Sequence, residues 1–293
     1  MAIVTRSRFT WQLRTSALPL GRRTLVMGIL NVTPDSFSDG GQSGSVGQCV
    51  DRALAMLDEG ADLLDIGGES TRPNAAPVSA AEEQERILPV VRALRRARPD
   101  TIVSVDTYHA ATAKCALDEG VEIINDVSGL LWDPAMAELL ADEKPGAVLM
   151  HTRGVPQEWT ALPPLRRTEI LPLVESGLTH SLRLAEEAGI ELERVVLDPG
   201  FGFGKAGHEN YVLLAQFQTL RKFDLPLLAG ISRKRFLTAQ LPQASDQARL
   251  HATTAANVAA VLAGAHLLRV HDVAAARAAA SVADCLVDSL EFD

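Results

Sequence analysis

Cysteine is scarce: the 293 residues hold three, Cys49, Cys115 and Cys285, far apart and with no CxxC pair. A disulfide scaffold and a thiolate zinc site are thereby excluded, and a reducing compartment fits best. A basic excess is also missing, since 28 Lys and Arg stand against 37 Asp and Glu, a net charge of −9. That argues against a nucleic-acid partner or an anionic membrane surface, while leaving room for a local cationic pocket around a small anion. Met1 to Leu18 is broken by Arg6, Arg8 and Arg14 and has no continuous apolar run of a secretory signal. Leu250 to Leu268 contains no Asp, Glu, Lys or Arg, yet it is alanine-rich and interrupted by His251, Thr253, Thr254, Asn257, Gly264 and His266. It reads as a buried helix running into a strand, not as a membrane span. The expectation is a cytoplasmic protein with no membrane partner. No GxGxxG opens a helix, so a dinucleotide fold has no support. Gly204-Lys205 fails as a phosphate loop, because Pro199 stands where the first glycine is required and Ala206 replaces the Ser or Thr.

What the chain does have is 47% hydrophobic residues, ample for a sizeable core. They fall into short β-rich runs at Thr24–Leu30, Leu63–Ile66, Ile102–Val105, Ile123–Asn125, Ala147–Met150, Val195–Leu197, Leu227–Gly230 and Leu267–Val270. Helical patterns lie between them, among them Val46–Glu59, Ala80–Arg96, Ala110–Glu119, Leu171–Ala188, Asn210–Leu220 and Asp246–Leu262. Several end in a glycine step, as at Glu59-Gly60, Glu119-Gly120, Ala188-Gly189 and Ala263-Gly264, where glycine accepts the left-handed conformation that stops a helix. Strands apolar on both faces, each followed by a helix, make a parallel sheet. Eight such units predict an α/β fold, a (β/α)8 TIM barrel; an open doubly wound sheet is the other arrangement. Residues 1–23 stand outside this rhythm and read as an N-terminal hairpin extension capping the barrel bottom, with a single barrel domain over 24–293.

A parallel barrel carries its chemistry at the C-terminal ends of its strands. Here those ends are polar: Asn31, Asp65, Asp106, Asn125, His151, Asp198, Lys234, and Arg269 with His271. Asp106, Asn125, Asp198 and Lys234 form one group of donors and acceptors, suited to a flat heterocycle with fused amide and amino groups. Asn31, Thr71, Arg72, Arg269 and His271 form a second, suited to a multiply charged anion with a bound Mg2+. Arg269 and His271 are two apart on a strand and so share a face. Asp65 reads as a partner of neighbouring backbone at the rim, and either Met150 or His151 faces the pocket. His109, His180, His208, His251 and His266 read as structural or solvated. Two Gly/Pro/Ser-rich loops, Thr33–Gly41 and Gly67–Pro73, are placed to close over the site.

Taken together, MGILNVTPDSFSDGG from Met27, then DIGGESTRP, SVDT, INDVSG, LMH, DPGFGFGK, SRK and RVHD resemble the dihydropteroate synthases over about residues 24 to 287. The resemblance implies a (β/α)8 barrel, usually a homodimer, that needs Mg2+. The resemblance implies an enzyme that joins 4-aminobenzoate to (7,8-dihydropterin-6-yl)methyl diphosphate in folate biosynthesis. It implies that Asn31 contacts the metal and the diphosphate, and that Thr71 and Arg72 reach the diphosphate. Asp106, Asn125, Asp198 and Lys234 would hold the pterin, Arg269 and His271 the diphosphate, and Phe37, Pro73 and Phe203 the aminobenzoate. Asp106, Asp198, Lys234, Arg269 and His271 would then be the catalytic set. The chain departs from the family pattern at Asn74, Glu209 and Arg235. A pterin-binding methyltransferase and a non-catalytic pterin binder that keeps the pocket are the competing functions; the methyltransferase has little use for an Arg269/His271 diphosphate pair.

Overall fold

The computed structural model describes residues 3–32, 42–69, 77–239, 241 and 245–290. After a hairpin of β1 (Phe9–Gln12) and β2 (Ala17–Leu20), strands and helices alternate. The succession is β3 (Leu25–Asn31), α1 (Gln42–Asp58), β4 (Leu63–Gly67), α2 (Ala80–Ala97), β5 (Val103–Asp106) and α3 (Ala110–Asp118). It continues with β6 (Ile123–Asp126), α4 (Ala135–Glu143), β7 (Gly146–Met150), α5 (Arg167–Ala188) and β8 (Val195–Asp198). It ends with α6 (Gly207–Ala215), β9 (Leu228–Ala229), α7 (Asp246–Leu262), β10 (Leu267–Val270) and α8 (Val273–Asp288). All eight strands from β3 onward are parallel, in the order β8-β7-β6-β5-β4-β3-β10-β9. A parallel bridge between Leu197 and Leu227 joins the two end strands, so the sheet is a closed barrel and not an open doubly wound one.

The helices form for local reasons. In α2, Ser79 Oγ accepts the Glu82 N–H at 3.2 Å, Glu82 and Glu83 sit in the first turn, and Arg95 and Arg96 in the last. Cap and charges thus oppose the helix dipole at both ends. Its buried residues Glu83, Ile87, Val90, Val91 and Leu94 follow the helical repeat and face the barrel wall. The chain at Asn210–Leu220 divides, with α6 stopping at Ala215 and a 3-10 segment over Phe217–Phe223. Leu250 to Leu268 is the end of α7 followed by β10, and among the described residues no helix is long and apolar enough to cross a membrane.

The hairpin plugs the bottom of the barrel. Trp11, Leu13 and Leu20 are buried there with Leu25, Met27, Leu63, Ile123, Val148, Val196, Leu228 and Leu267. Trp11 Nε1 donates to the Arg194 carbonyl at 2.7 Å, satisfying the one polar atom of an otherwise apolar ring. Gly146 makes the plug possible: a Cβ there would stand 2.6 Å from Leu13 Cδ2. Truncating Trp11 to alanine would cost about 3–5 kcal/mol.

Candidate active site

Inward-facing positions recur every second residue along a barrel strand. The apolar floor therefore dictates what lies above it. Two residues beyond Leu63, Ile123, Val196 and Leu267 come Asp65, Asn125, Asp198 and Arg269. Apolar at the bottom and polar at the top is the shape of a cup with a wet mouth.

Register sets the neighbours. Asp106 pairs with Asn125 across β5 and β6, and Gly67 with Asp106 across β4 and β5. Asp65 is wholly buried and accepts three side-chain donors: Ser104 Oγ at 2.6 Å, Asn125 Nδ2 at 3.0 Å and Arg269 Nε at 2.6 Å. Arg269 Nη2 reaches Asp106 Oδ2 at 2.5 Å. Burial pushes the Asp106 carboxyl up to about 7, against the opposing pull of Arg269. For Arg269 burial disfavours the charge, yet Asp65 and Asp106 outweigh it and hold the guanidinium charged.

Across the mouth, Asp198 Oδ1 accepts the Gly200 N–H at 2.7 Å, and burial raises its carboxyl. Lys234 has its amine lowered to about 8, by burial first and then by Arg269. Its Nζ lies over the Phe203 ring. Phe203 packs with Val127 and Met150, flanked by Tyr108, Trp132 and Trp159. The loop carrying Phe203 is held from inside by Lys205, whose Nζ donates to the carbonyls of Gly200 (2.7 Å), Phe203 (3.2 Å) and His151 (3.3 Å). Gly200 needs its left-handed φ of +67° and its missing side chain, since a Cβ would fall 1.9 Å from the His151 carbonyl oxygen.

Asn31, the exposed last residue of β3, and His271 line a cleft of about 250 Å³ with Gln48, Arg52 and Arg233. His271 is pinned to Ser232, its N–H reaching Oγ at 3.1 Å and its Nδ1 at 3.1 Å. Burial, then Arg269, lowers its imidazole to about 3, so it is a neutral ring here.

A family model described as "Pterin binding enzyme" matches residues 27–271. A dihydropteroate synthase from Synechocystis is 41% identical over 266 residues, 91% of each chain. The chain belongs to the dihydropteroate synthases, a family of pterin-binding transferases. The Xanthomonas albilineans dihydropteroate synthase solved with 4-aminobenzoic acid superposes with a TM-score of 0.87 at 39% identity, covering 96% of this chain and 98% of that one. The same enzyme with 7,8-dihydropteroate gives 0.79 at 39% identity, covering 90% and 94%.

Within this dihydropteroate synthase barrel, Asp106, Asn125, Asp198, Lys234 and Arg269 meet at the mouth. Arg269 leaves the expected anion group in this state: it is tied to Asp65 and Asp106, while Asn31 and His271 line the neighbouring cleft. Phe37, Thr71, Arg72 and Pro73 lie outside the described residues, as do most of both loops and Asn74. Met150 joins the aromatic cluster at the mouth, and His151 turns away against Gly177 of α5. Asp65 is corrected: its hydrogen-bond partners are side chains, because its position on β4 points into the barrel. Gln48, Arg52, Ser232, Arg233 and Lys205 were missed. Arg233 and Ser232 carried a signal as neighbours of Lys234, and Lys205 one as the last residue of DPGFGFGK. Of the departures, Glu209 is buried and accepts the N–H groups of Leu165 (2.7 Å) and Ala206 (2.8 Å), a structural anchor. Arg235 is exposed at the start of a 3-10 turn.

Proposed function

We propose that this mouth binds (7,8-dihydropterin-6-yl)methyl diphosphate and 4-aminobenzoate and converts them to 7,8-dihydropteroate and diphosphate, the folate-pathway reaction of its family. One observation carries the reading: two carboxylates and an amide from three strand ends, with an amine from the loop after β9, converge above an apolar floor around the Arg269 guanidinium. That donor–acceptor set suits a pterin edge-on. 4-Aminobenzoic acid and 7,8-dihydropteroate in the Xanthomonas albilineans structures support the substrate pair.

The chemistry needs no general base. As the methylene carbon–oxygen bond breaks, positive charge spreads into the dihydropterin ring, where Asp106 and Asp198 stabilise it. Arg269 and the neutral His271 donate to the departing diphosphate, with Arg52 and Arg233 flanking the cleft beyond. This is preorganised electrostatics at both ends of one breaking bond. The neutral arylamine nitrogen attacks the methylene carbon, forms the new carbon–nitrogen bond and loses a proton to solvent. Phe203 offers its face to the arylamine ring.

The donor set fits Mg2+ brought with the diphosphate. Among the described residues no three carboxylate, histidine or cysteine side chains cluster as a protein-built metal site, whereas Asn31 offers one amide oxygen beside the cleft. Mg2+ bound by few protein ligands, phosphate oxygens and water is its ordinary habit. Bound there, it would neutralise leaving-group charge.

We further read the chain as a cytoplasmic homodimer joined through α8. Its outer face exposes Val282, Leu286 and, just beyond the helix, Leu290, at four-residue spacing, with the free thiol of Cys285 beside them. A Leu286→Glu variant should sediment as a monomer; a monomeric parent at micromolar concentration would refute this.

The activity test is diphosphate release. It should require both substrates and Mg2+, and produce dihydropteroate one for one. Release that ignores 4-aminobenzoate, or methyl transfer from a folate in its place, would defeat the reading.

A further inference from the structure

Asp65 and Asp106 hold the same arginine, but on unequal terms. Asp65 is fully buried and takes Arg269 Nε at 2.6 Å, with Ser104 and Asn125 occupying its remaining acceptor positions. Asp106 stands at the open end of β5, and Arg269 Nη2 is its side-chain ion-pair partner at 2.5 Å. Arg269 Nη1 has no hydrogen bond among the described residues. One end of the guanidinium is anchored, and the other rests on a carboxylate that the pterin also needs.

We propose that Asp65 is a positioning residue that fixes Arg269 at Nε as a pivot, while Nη2 exchanges between Asp106 in the empty site and a phosphate oxygen in the loaded one. Ring N–H donors of a bound pterin compete with Nη2 for Asp106, so pterin binding releases the outer end of Arg269 toward the anion. Removal of Arg269 from Asp106 leaves its Nε bond to Asp65 intact, which keeps the freed end within reach. The two ligands therefore help each other onto the protein, and by linkage the help is equal in both directions. This rests on the pterin and diphosphate reading of the site.

The test is calorimetry with inorganic pyrophosphate and Mg2+, with and without saturating 6-hydroxymethyl-7,8-dihydropterin, which lacks the diphosphate. In the parent, pyrophosphate should bind about tenfold tighter with the pterin present, within the usual range of such couplings. Asp106→Asn should give the tighter pyrophosphate affinity with no pterin added, because the competing carboxylate charge is gone. Asp65→Asn should cut the coupling to less than about twofold, because a neutral amide oxygen holds Arg269 Nε without the ion-pair charge that makes it a pivot. Asp65→Asn can keep its hydrogen bonds by presenting its oxygen to Arg269 and its amide to Ser104; should it still fail to fold, the parent and Asp106→Asn measurements decide alone. Equal pyrophosphate affinity in the parent with and without pterin would overturn the exchange, as would an Asp106→Asn variant that binds pyrophosphate no better than the empty parent. A parent that binds the pterin alcohol not at all would instead overturn the site reading beneath it.

Discussion

Lys234 Nζ lies 4.1 Å from the centre of the Phe203 ring. The amine assigned to the pterin thus rests on the aromatic surface assigned to the aminobenzoate, and the two half-sites share a wall. A cation over an aromatic face contributes about 0.5–2 kcal/mol, more as water is excluded. Phe203→Leu should raise the KM for 4-aminobenzoate about tenfold and weaken bare dihydropterin by less than threefold. Steady-state kinetics beside pterin titration separates the two, and equal losses would place Phe203 in the pterin pocket alone.

Asp198→Asn should keep the fold and lose the pterin. The amide oxygen can still accept the Gly200 N–H that Asp198 accepts at 2.7 Å. What disappears is the charge facing the ring donors, about 10- to 100-fold in affinity at the strength of one charge-assisted bond. A melting temperature that collapses while pterin affinity is unchanged would make Asp198 purely structural.

Asp106 should make pterin binding and stability respond to pH in opposite directions. Its folded carboxyl sits at about 7, well above an ordinary aspartate, so the fold favours the protonated form. The stability so gained is full below about pH 4 and is lost as pH rises toward 7. Relative to Asp106→Asn, the parent should lose melting temperature across that window and level off above it. Pterin affinity should rise over the same window, by up to about tenfold per pH unit for one proton displaced. Parallel profiles in parent and variant would contradict the assignment.

Lys205→Met should loosen the loop between Asp198 and α6. Three carbonyls lose a donor at once, leaving Gly200 with the Phe203 N–H at 3.2 Å and Phe203 with the Arg153 N–H at 3.4 Å. About 2–4 kcal/mol of stability should go, with a higher KM for 4-aminobenzoate because Phe203 rides on that loop. Unchanged melting with unchanged KM would rule the tether out.

Asp284→Ala should destabilise by about 3–5 kcal/mol, since it strands a buried guanidinium. Asp284 accepts Arg6 Nη2 at 2.5 Å, the Thr24 N–H at 2.8 Å and Thr24 Oγ1 at 2.7 Å. Turnover below the melting range should stay near the parent's, as this cluster lies at the far end of the barrel from Asp106. A change in turnover at full folding would connect the two ends of the barrel.

The barrel was legible because burial on both strand faces followed by helix punctuation leaves few other solutions. Strand ends were read one residue short at Asp106, Asp126 and Asp198, since a charged residue looks like a loop until the barrel interior is known to be polar there. The site was legible as composition and not as pairing. Asp65 and Arg269 are 204 residues apart in sequence, and only the closure of β10 onto β3 brings them together. The tethering role of Lys205 was hidden for a similar reason: its partners are backbone carbonyls, which every residue has.

The clasp between Arg6, Thr24 and Asp284 also sets a timetable for synthesis. Arg6 and Asp284 are 278 residues apart, so the clasp cannot close until α8 has been made. Until β10 emerges, β3 has an unpaired edge and the Trp11 plug has no finished barrel to enter, and until α8 follows the clasp stays open. Nascent chains stalled before β10 should therefore be protease-sensitive and chaperone-bound.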